Sequence, residues 1–554
     1  MNKKVCSFPI LFALLALLIG TCAVVFPASA QAAPTSTGSI TVSGTVASSY
    51  NAYQIFSANV IDGDNDAKIA TDLAWASDAV RGAALPVLHS AGMPNSQTTA
   101  QEAAEWLNTD SHLTSALSAQ LARSLQSSSA VSVALNAGTT AELPCGYWLI
   151  VADDDAIAQN EAGTAPIMAL VGGSAVTVKP KASTPKVAKH VLEDSTAAWQ
   201  KAADATVADD LYWRLSATVP AGLTAYDTYT VRFVDTMSAG LDPSKVAASM
   251  RVYVAAGADG GFDSVQTGKD GRVGTEPAKG WTDITAQCRV SVDGKTFTVR
   301  TGDLIAALGG ADAFTAGARV VAVYNAPLNS ACNHGIAKGN PNEVYLRYPR
   351  SPFADQSGDA GFTRTPSDDA CAYTWDLALT KRGSDGDKPL AGAVLSIADD
   401  RGRTLATDGT WDAEGKATVT TGEDGRVTVS GVDSGKLEVR ELKAPKGYTA
   451  FEGTRSVTVK AEGLDVDQVA AAKPKLTITA ESPLRADSAD GSTGSLEASL
   501  INTPTGTPPS ITTGGFMPST GDMAMYAAAA AAVAGAAFIV VALLVKRGGG
   551  SHKE

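Results

Sequence analysis

The sequence predicts a mainly β protein: tandem immunoglobulin-like β-sandwich domains preceded by an α+β N-terminal domain. Three observations predict it. Segments rich in Val, Thr, Ile and Tyr, broken by Gly, Asp, Asn and Pro, dominate from residue 170 onward, the composition of antiparallel strands and turns. Helical periodicity is confined to a stretch before residue 130. At 554 residues the chain is too long for one core, and ordinary domain sizes imply about three or four domains.

Residues 1–30 run from Lys3 and Lys4 through an apolar stretch, 8–26, into Ala28-Ser29-Ala30, the pattern of a secretory signal peptide. The N-terminal α+β domain is expected over 33–178. It opens with strand-like segments at 39–46 and 53–56. Thr99 and Glu102 then form a capping-box pattern, and Leu113, Leu117, Leu121 and Leu125 recur on one helical face. A Pro- and Lys-containing junction at 179–185 leads into a β-sandwich over 179–353. Residues 354–370, rich in Asp, Gly, Ser and Thr, read as a connector, and a third β domain is expected over 371–504. A Pro/Gly/Thr stalk, 505–516, precedes the terminal segment 517–554. That segment contains an apolar run, 523–545, long enough to span a bilayer, followed by Lys546 and Arg547, which favour the cytoplasmic side.

Composition excludes several classes. A net charge of -13 with pI near 5.0 leaves no basic footprint for nucleic acid. Five scattered His form neither a metal-ligand cluster nor a nucleophile elbow, so neither a metal nor a cofactor is expected and a surface enzyme has little support. Cys6 and Cys22 fall in the signal peptide. Of Cys145, Cys288, Cys332 and Cys371, the pair Cys288–Cys332 is the favoured disulfide because both lie in one predicted domain; free buried thiols are the alternative.

Strand alternation places every second residue on one face, so a polar residue in phase with apolar neighbours is predicted to point inward. Six residues do this, in two sets. Lys381 shares the face of Trp375, Leu377 and Leu379; Glu441 that of Leu437 and Val439; Asn502 that of Leu496 and Leu500. Lys189 is in phase with Val187 and Val191, Asp235 with Val231 and Phe233, and Asn342 with Val344, Leu346 and Tyr348. Burial disfavours charge, lowering a lysine's pKa and raising an acid's. A neutral amine could then attack the Asn carboxamide while the protonated acid polarises it, forming an isopeptide bond and releasing ammonia. Ordinary strand-end salt bridges are the bland alternative.

Met517-Pro518-Ser519-Thr520-Gly521, followed by an apolar span and a basic tail, resembles the LPxTG sorting signal of sortase substrates, with Met517 where Leu is usual. Glu441-Leu442-Lys443-Ala444-Pro445-Lys446-Gly447-Tyr448 resembles the E-box of sortase-assembled major pilins, the type 2 fimbrial shaft subunits of Gram-positive bacteria. Asn502-Thr503-Pro504 is similar to the final strand of Cna-B-type domains. Asp235-Thr236-Met237 and Asn340-Pro341-Asn342 resemble the family's acid and asparagine segments, with Asn342 preferred over Asn340 because it adjoins the strand. Val176-Thr177-Val178-Lys179-Pro180-Lys181 resembles the pilin motif, although Lys179 replaces its Tyr.

The resemblance implies bonds Lys189–Asn342 and Lys381–Asn502, promoted by Asp235 and Glu441 as single-turnover self-maturation. It implies a polymer in which Thr520 of one subunit joins Lys181 of the next; Lys179 and Lys186 are the rival nucleophiles. Lys181 is out of phase with Val176 and Val178 and is expected to face outward. Implied partners are pilin-type and housekeeping sortases, identical subunits, minor tip and basal pilins, peptidoglycan and a host receptor. The implied location is a wall-anchored fimbria, membrane-held before sorting. A monomeric wall-anchored adhesin or minor pilin is the alternative.

Overall fold

The computed structural model describes residues 36–506 apart from 45, 65–66, 110, 181–183, 221–222 and 258–279. The expected fold class holds: strands dominate, and helices of eight or more residues occur only near the N-terminus among the described residues. The strand expected over 39–46 is Thr37–Val42, ending before Gly44, whose φ of +129° suits glycine. It lies between Thr140–Pro144, antiparallel, and Val176–Val178, parallel. The segment expected at 53–56 belongs to a longer strand, Ser49–Asp62, within a five-stranded sheet. That sheet is covered on both faces. Tyr50, Ala52 and Trp148 pack on the three-stranded sheet, while Ile55, Phe56 and Leu149 pack on the helices.

Each of the three N-terminal helices starts where a side chain can satisfy its free N–H groups. Thr99 and Glu102 form the reciprocal capping box ahead of Ala100–Asn108, and Thr114 caps Ser115–Gln126. Leu117, Leu121 and Leu125 form the buried stripe, and Leu113, before the helix, packs against the same core.

The next unit is a sandwich. One sheet has the order Ala198–Gln200, Val187–Glu193, Tyr212–Thr218, Arg319–Asn325, Arg251–Ala255, Trp281–Asp283. The other runs Ala202–Asp204, Asp368–Tyr373, Asn340–Pro349, Arg232–Met237, Thr296–Arg300, Arg289–Asp293. Trp213, Phe233, Phe297 and Tyr324 fill the space between, each large ring contributing about 1.5–3 kcal/mol through burial.

The connector expected at 354–370 is corrected by this arrangement. It holds the strand Phe362–Arg364 and the start of Asp368–Tyr373, which is an internal strand of the second sheet. Ala370 and Ala372 face the core of this sandwich, whereas Cys371 and Tyr373 face the next one. The predicted boundary at 371 therefore cuts through a strand whose two faces serve two cores.

In the third unit Trp375–Gly383 lies between Arg426–Val432 and Ser495–Pro504, opposite a sheet containing Val394–Ala398, Gly435–Lys443, Thr454–Glu462 and Lys475–Ala480. The first and last strands of this unit, Trp375–Gly383 and Ser495–Pro504, are parallel neighbours.

The expected Cys288–Cys332 disulfide is also corrected, since Cys145, Cys288, Cys332 and Cys371 are all free. Cys288 follows the short 3-10 turn Thr285–Gln287 and donates to Ile284 O at 3.3 Å, while the Cys332 thiol meets His334 Nε2 at 3.6 Å. Membership of one domain does not bring two Cβ vectors into the narrow geometry a disulfide needs.

Among the described residues no helix is long and apolar enough to cross a membrane. The predicted signal peptide, Lys181, the motif Met517 to Gly521 and the apolar run 523–545 lie outside the described residues.

Candidate functional site

All six polar residues singled out by phase are buried, and they gather into two groups. In the second unit Lys189 comes from one sheet, while Asp235 and Asn342 come from adjacent strands of the other, so the group bridges the sandwich. Pairing of Met237 with Asn342 and of Asp235 with Val344 sets the acid and the amide two residues apart on one face. The Lys189 ammonium contacts Asp235 Oδ2 directly and donates to Tyr324 OH at 2.8 Å. Tyr324 OH donates to Asp235 Oδ2 at 3.0 Å and accepts from Asn342 Nδ2 at 2.9 Å. Asn340, the rival amide, is occupied instead with backbone: it accepts from Asn333 N and donates to Asn333 O and Ala372 O.

In the third unit Lys381 and Asn502 sit on the parallel neighbours, with Glu441 on the facing sheet. Lys381 Nζ donates to Asn502 Oδ1 and lies 3.3 Å from Glu441 Oε1; Asn502 Nδ2 donates to that same Oε1 at 2.9 Å. Glu441 Oε2 accepts from Phe451 N at 3.1 Å, which fixes the carboxyl plane.

Burial is the first cause of the electrostatics. It pulls both Lys189 and Lys381 down to about 8, against the opposing pull of their acids. It also pushes Asp235 above the ordinary carboxylate range. In the second unit both shifts favour passing a proton from amine to acid, which would leave a neutral nucleophile beside a carboxamide. In the third unit one carboxyl oxygen touches both the amine and the leaving amide nitrogen, so Glu441 can take the proton lost by Lys381 and return it to departing ammonia. In the second unit a protonated Asp235 would add a donor, and the buried Asn342 Oδ1 lacks one.

Sequence reasoning missed Tyr324. It is in phase with the buried Val320 and Ala322 and passes for an ordinary core aromatic, but its hydroxyl joins all three partners. If Lys189 and Asn342 join with loss of ammonia, Tyr324→Phe is expected to leave the fold intact and slow that release, because the Asn342 amide and Lys189 each lose a hydrogen bond worth about 1–3 kcal/mol when buried. Time-resolved intact mass on freshly folded protein reads this directly; a wild-type rate would remove Tyr324 from the chemistry.

The fold and these groups define a modular β protein with an amine, an acid and a carboxamide buried together in each of two sandwiches. Residues 376–473 match the family described as SpaA, prealbumin-like fold domain, a span that includes Lys381 and Glu441 and stops short of Asn502. The chain is similar to the trypsin-resistant surface T6 protein of Streptococcus pyogenes serotype M6, 30% identical over 143 residues. That match spans 24% of this chain and 24% of the relative. Among solved structures, the T6 backbone pilin of serotype M6 Streptococcus pyogenes aligns over 85% of this chain and 98% of its own, at 17% identity and a TM-score of 0.46. The major pilin SpaD from Corynebacterium diphtheriae aligns over 85% and 98%, at 15% identity and a TM-score of 0.40.

Proposed function

We propose that the protein is the shaft subunit of a covalently polymerised surface pilus, matured by two internal isopeptide bonds, Lys189–Asn342 and Lys381–Asn502. The observation that carries this reading is the pair of buried amine–acid–carboxamide groups in successive sandwiches. A globular surface protein has little need to bury lysines at such desolvation cost, whereas a subunit under tension gains from covalent ties between distant strands. Similarity over 143 residues to the trypsin-resistant surface T6 protein supports a place at the cell surface.

In this reading a pilin-type sortase cleaves after Thr520 in Met517-Pro518-Ser519-Thr520-Gly521, and the resulting thioester is resolved by Lys181 of another subunit. A housekeeping sortase passes the basal subunit to peptidoglycan. Minor tip and basal pilins complete the fibre, which supports adhesion. Lys181→Ala is expected to abolish SDS-resistant high-mass ladders in surface extracts while monomer is still secreted; unchanged ladders would remove Lys181 as the polymerising nucleophile. A wild-type extract that runs only as monomer would return the reading of a wall-anchored adhesin.

A further inference from the structure

A second constellation lies outside the isopeptide chemistry. Cys332 and His334 sit on the loop between Arg319–Asn325 and Asn340–Pro349, where the second unit meets the third. His334 Nε2 is 3.6 Å from Cys332 Sγ, and its Nδ1 is 2.8 Å from Asp376 Oδ1. Asp376 Oδ1 is held in turn by Ser430 Oγ at 2.6 Å and Gly431 N at 3.0 Å. A thiol, an imidazole within reach of it and a carboxylate beside that imidazole are the parts of an activated nucleophile, although His334 Nδ1 makes no hydrogen bond to the carboxylate.

The loop is fastened in place. Asn329 Nδ2 donates to Ala239 O and Leu241 O, both at 3.0 Å, and Gly335 N donates to Thr374 O at 3.1 Å. Gly240 admits the loop closely: a Cβ there would come within 2.6 Å of Cys332 Cα. A cleft of about 760 Å³ opens beside the thiol, with Asn329, Lys245, Arg403 and Trp411 among its walls. That is room for a small molecule.

We propose that Cys332 is a nucleophilic thiol that exchanges with low-molecular-weight disulfides, with His334 as its base. As Sγ attacks one sulfur of the small disulfide, its proton moves to His334 Nε2 and the small molecule's S–S bond breaks. The departing thiolate takes up that proton, leaving a mixed disulfide on Cys332 and one equivalent of free thiol; no oxidant is consumed. Asp376 acts by charge: its carboxylate lies 2.8 Å from Nδ1, out of hydrogen-bond geometry, and stabilises the imidazolium that forms when Nε2 takes the proton. Since Asp376 belongs to the third unit, its charge lies beside the base only while the two units stay docked.

Burial pushes the thiols of Cys288, Cys332 and Cys371 all up to about 11, so resting acidity does not single out one of them. Proton removal during attack does. Exposure alone favours Cys288, which is half-buried, over Cys332, which is 9% exposed.

The test treats the secreted full chain with an aromatic disulfide that releases a coloured thiolate, quenches early and maps the labelled peptide. Cys332 is expected to be labelled first, about 10-fold ahead of Cys288, and His334→Gln is expected to slow it by about 100-fold at unchanged melting temperature. Asp376→Asn should shift the pH profile of Cys332 labelling toward that of His334→Gln. Labelling of Cys288 first in the wild-type chain overturns the proposal without reference to any variant. So does a His334→Gln rate equal to wild type.

Discussion

Asp235→Ala is expected to leave the secreted chain one ammonia heavier than the mass its substituted sequence would have with both bonds closed, and to lower the melting temperature of the second unit by about 10–20 °C. The size follows from loop closure. A bond from Lys189 to Asn342 closes a loop of well over a hundred residues, and the scaling for such loops gives about 5 kcal/mol of lost unfolded-state freedom. Removing the carboxylate also strips Lys189 of its partner in a fully buried site. An orphaned buried charge costs about 3–5 kcal/mol, relieved in part because this amine sheds its proton at about 8. Intact mass and calorimetry separate the two effects: Asn342→Ala loses the bond but keeps the ion pair, and should fall less far. A wild-type mass equal to that of the unmodified secreted chain would end the isopeptide reading.

Under stretching, Lys381→Ala is expected to give a lengthening step of about 400 Å that wild type lacks. Lys381 and Asn502 are 121 residues apart in sequence but lie on parallel neighbours at the two ends of the unit. Tension enters along one of these strands and leaves along the other. With the bond in place, load crosses directly from Lys381 to Asn502 and the intervening chain carries none. Without it, the shear falls on hydrogen bonds, and the intervening chain pays out once they part. Single-molecule force spectroscopy on full-length secreted chains reads the step; its presence in wild type would show that the load does not cross at Lys381.

Much of the site was legible because strand phase is local. Lys189, Asp235, Asn342, Lys381, Glu441 and Asn502 each violate alternation within their own strand, and a buried polar residue leaves that trace wherever its partners lie. The capping box at Thr99 and Glu102 was legible for the same reason. What depended on pairing between distant segments was not. Residues 354–370 have the composition of a linker, yet Phe362 and Ala370 are buried because Asn340–Pro349 offers them an edge to pair with. Cys332, His334 and Asp376 carry no shared local pattern, since the carboxylate arrives from another unit. Tyr324 hid behind its own ring, which suits an apolar core as well as a polar cluster.

The strand Asp368–Tyr373, with one face in each of two cores, governs how a bonded fibre would yield. If Lys189–Asn342 and Lys381–Asn502 are both closed, the chain between Asn342 and Lys381 is the stretch within the two sandwiches that has no covalent shortcut. It folds back on itself through Phe362–Arg364 and Asp368–Tyr373 before reaching Trp375–Gly383. In that case the slack of each subunit would be stored in that fold-back. The compliance of the filament would then be set by how firmly Ala370, Cys371, Ala372 and Tyr373 grip their two cores rather than by the strength of either sandwich.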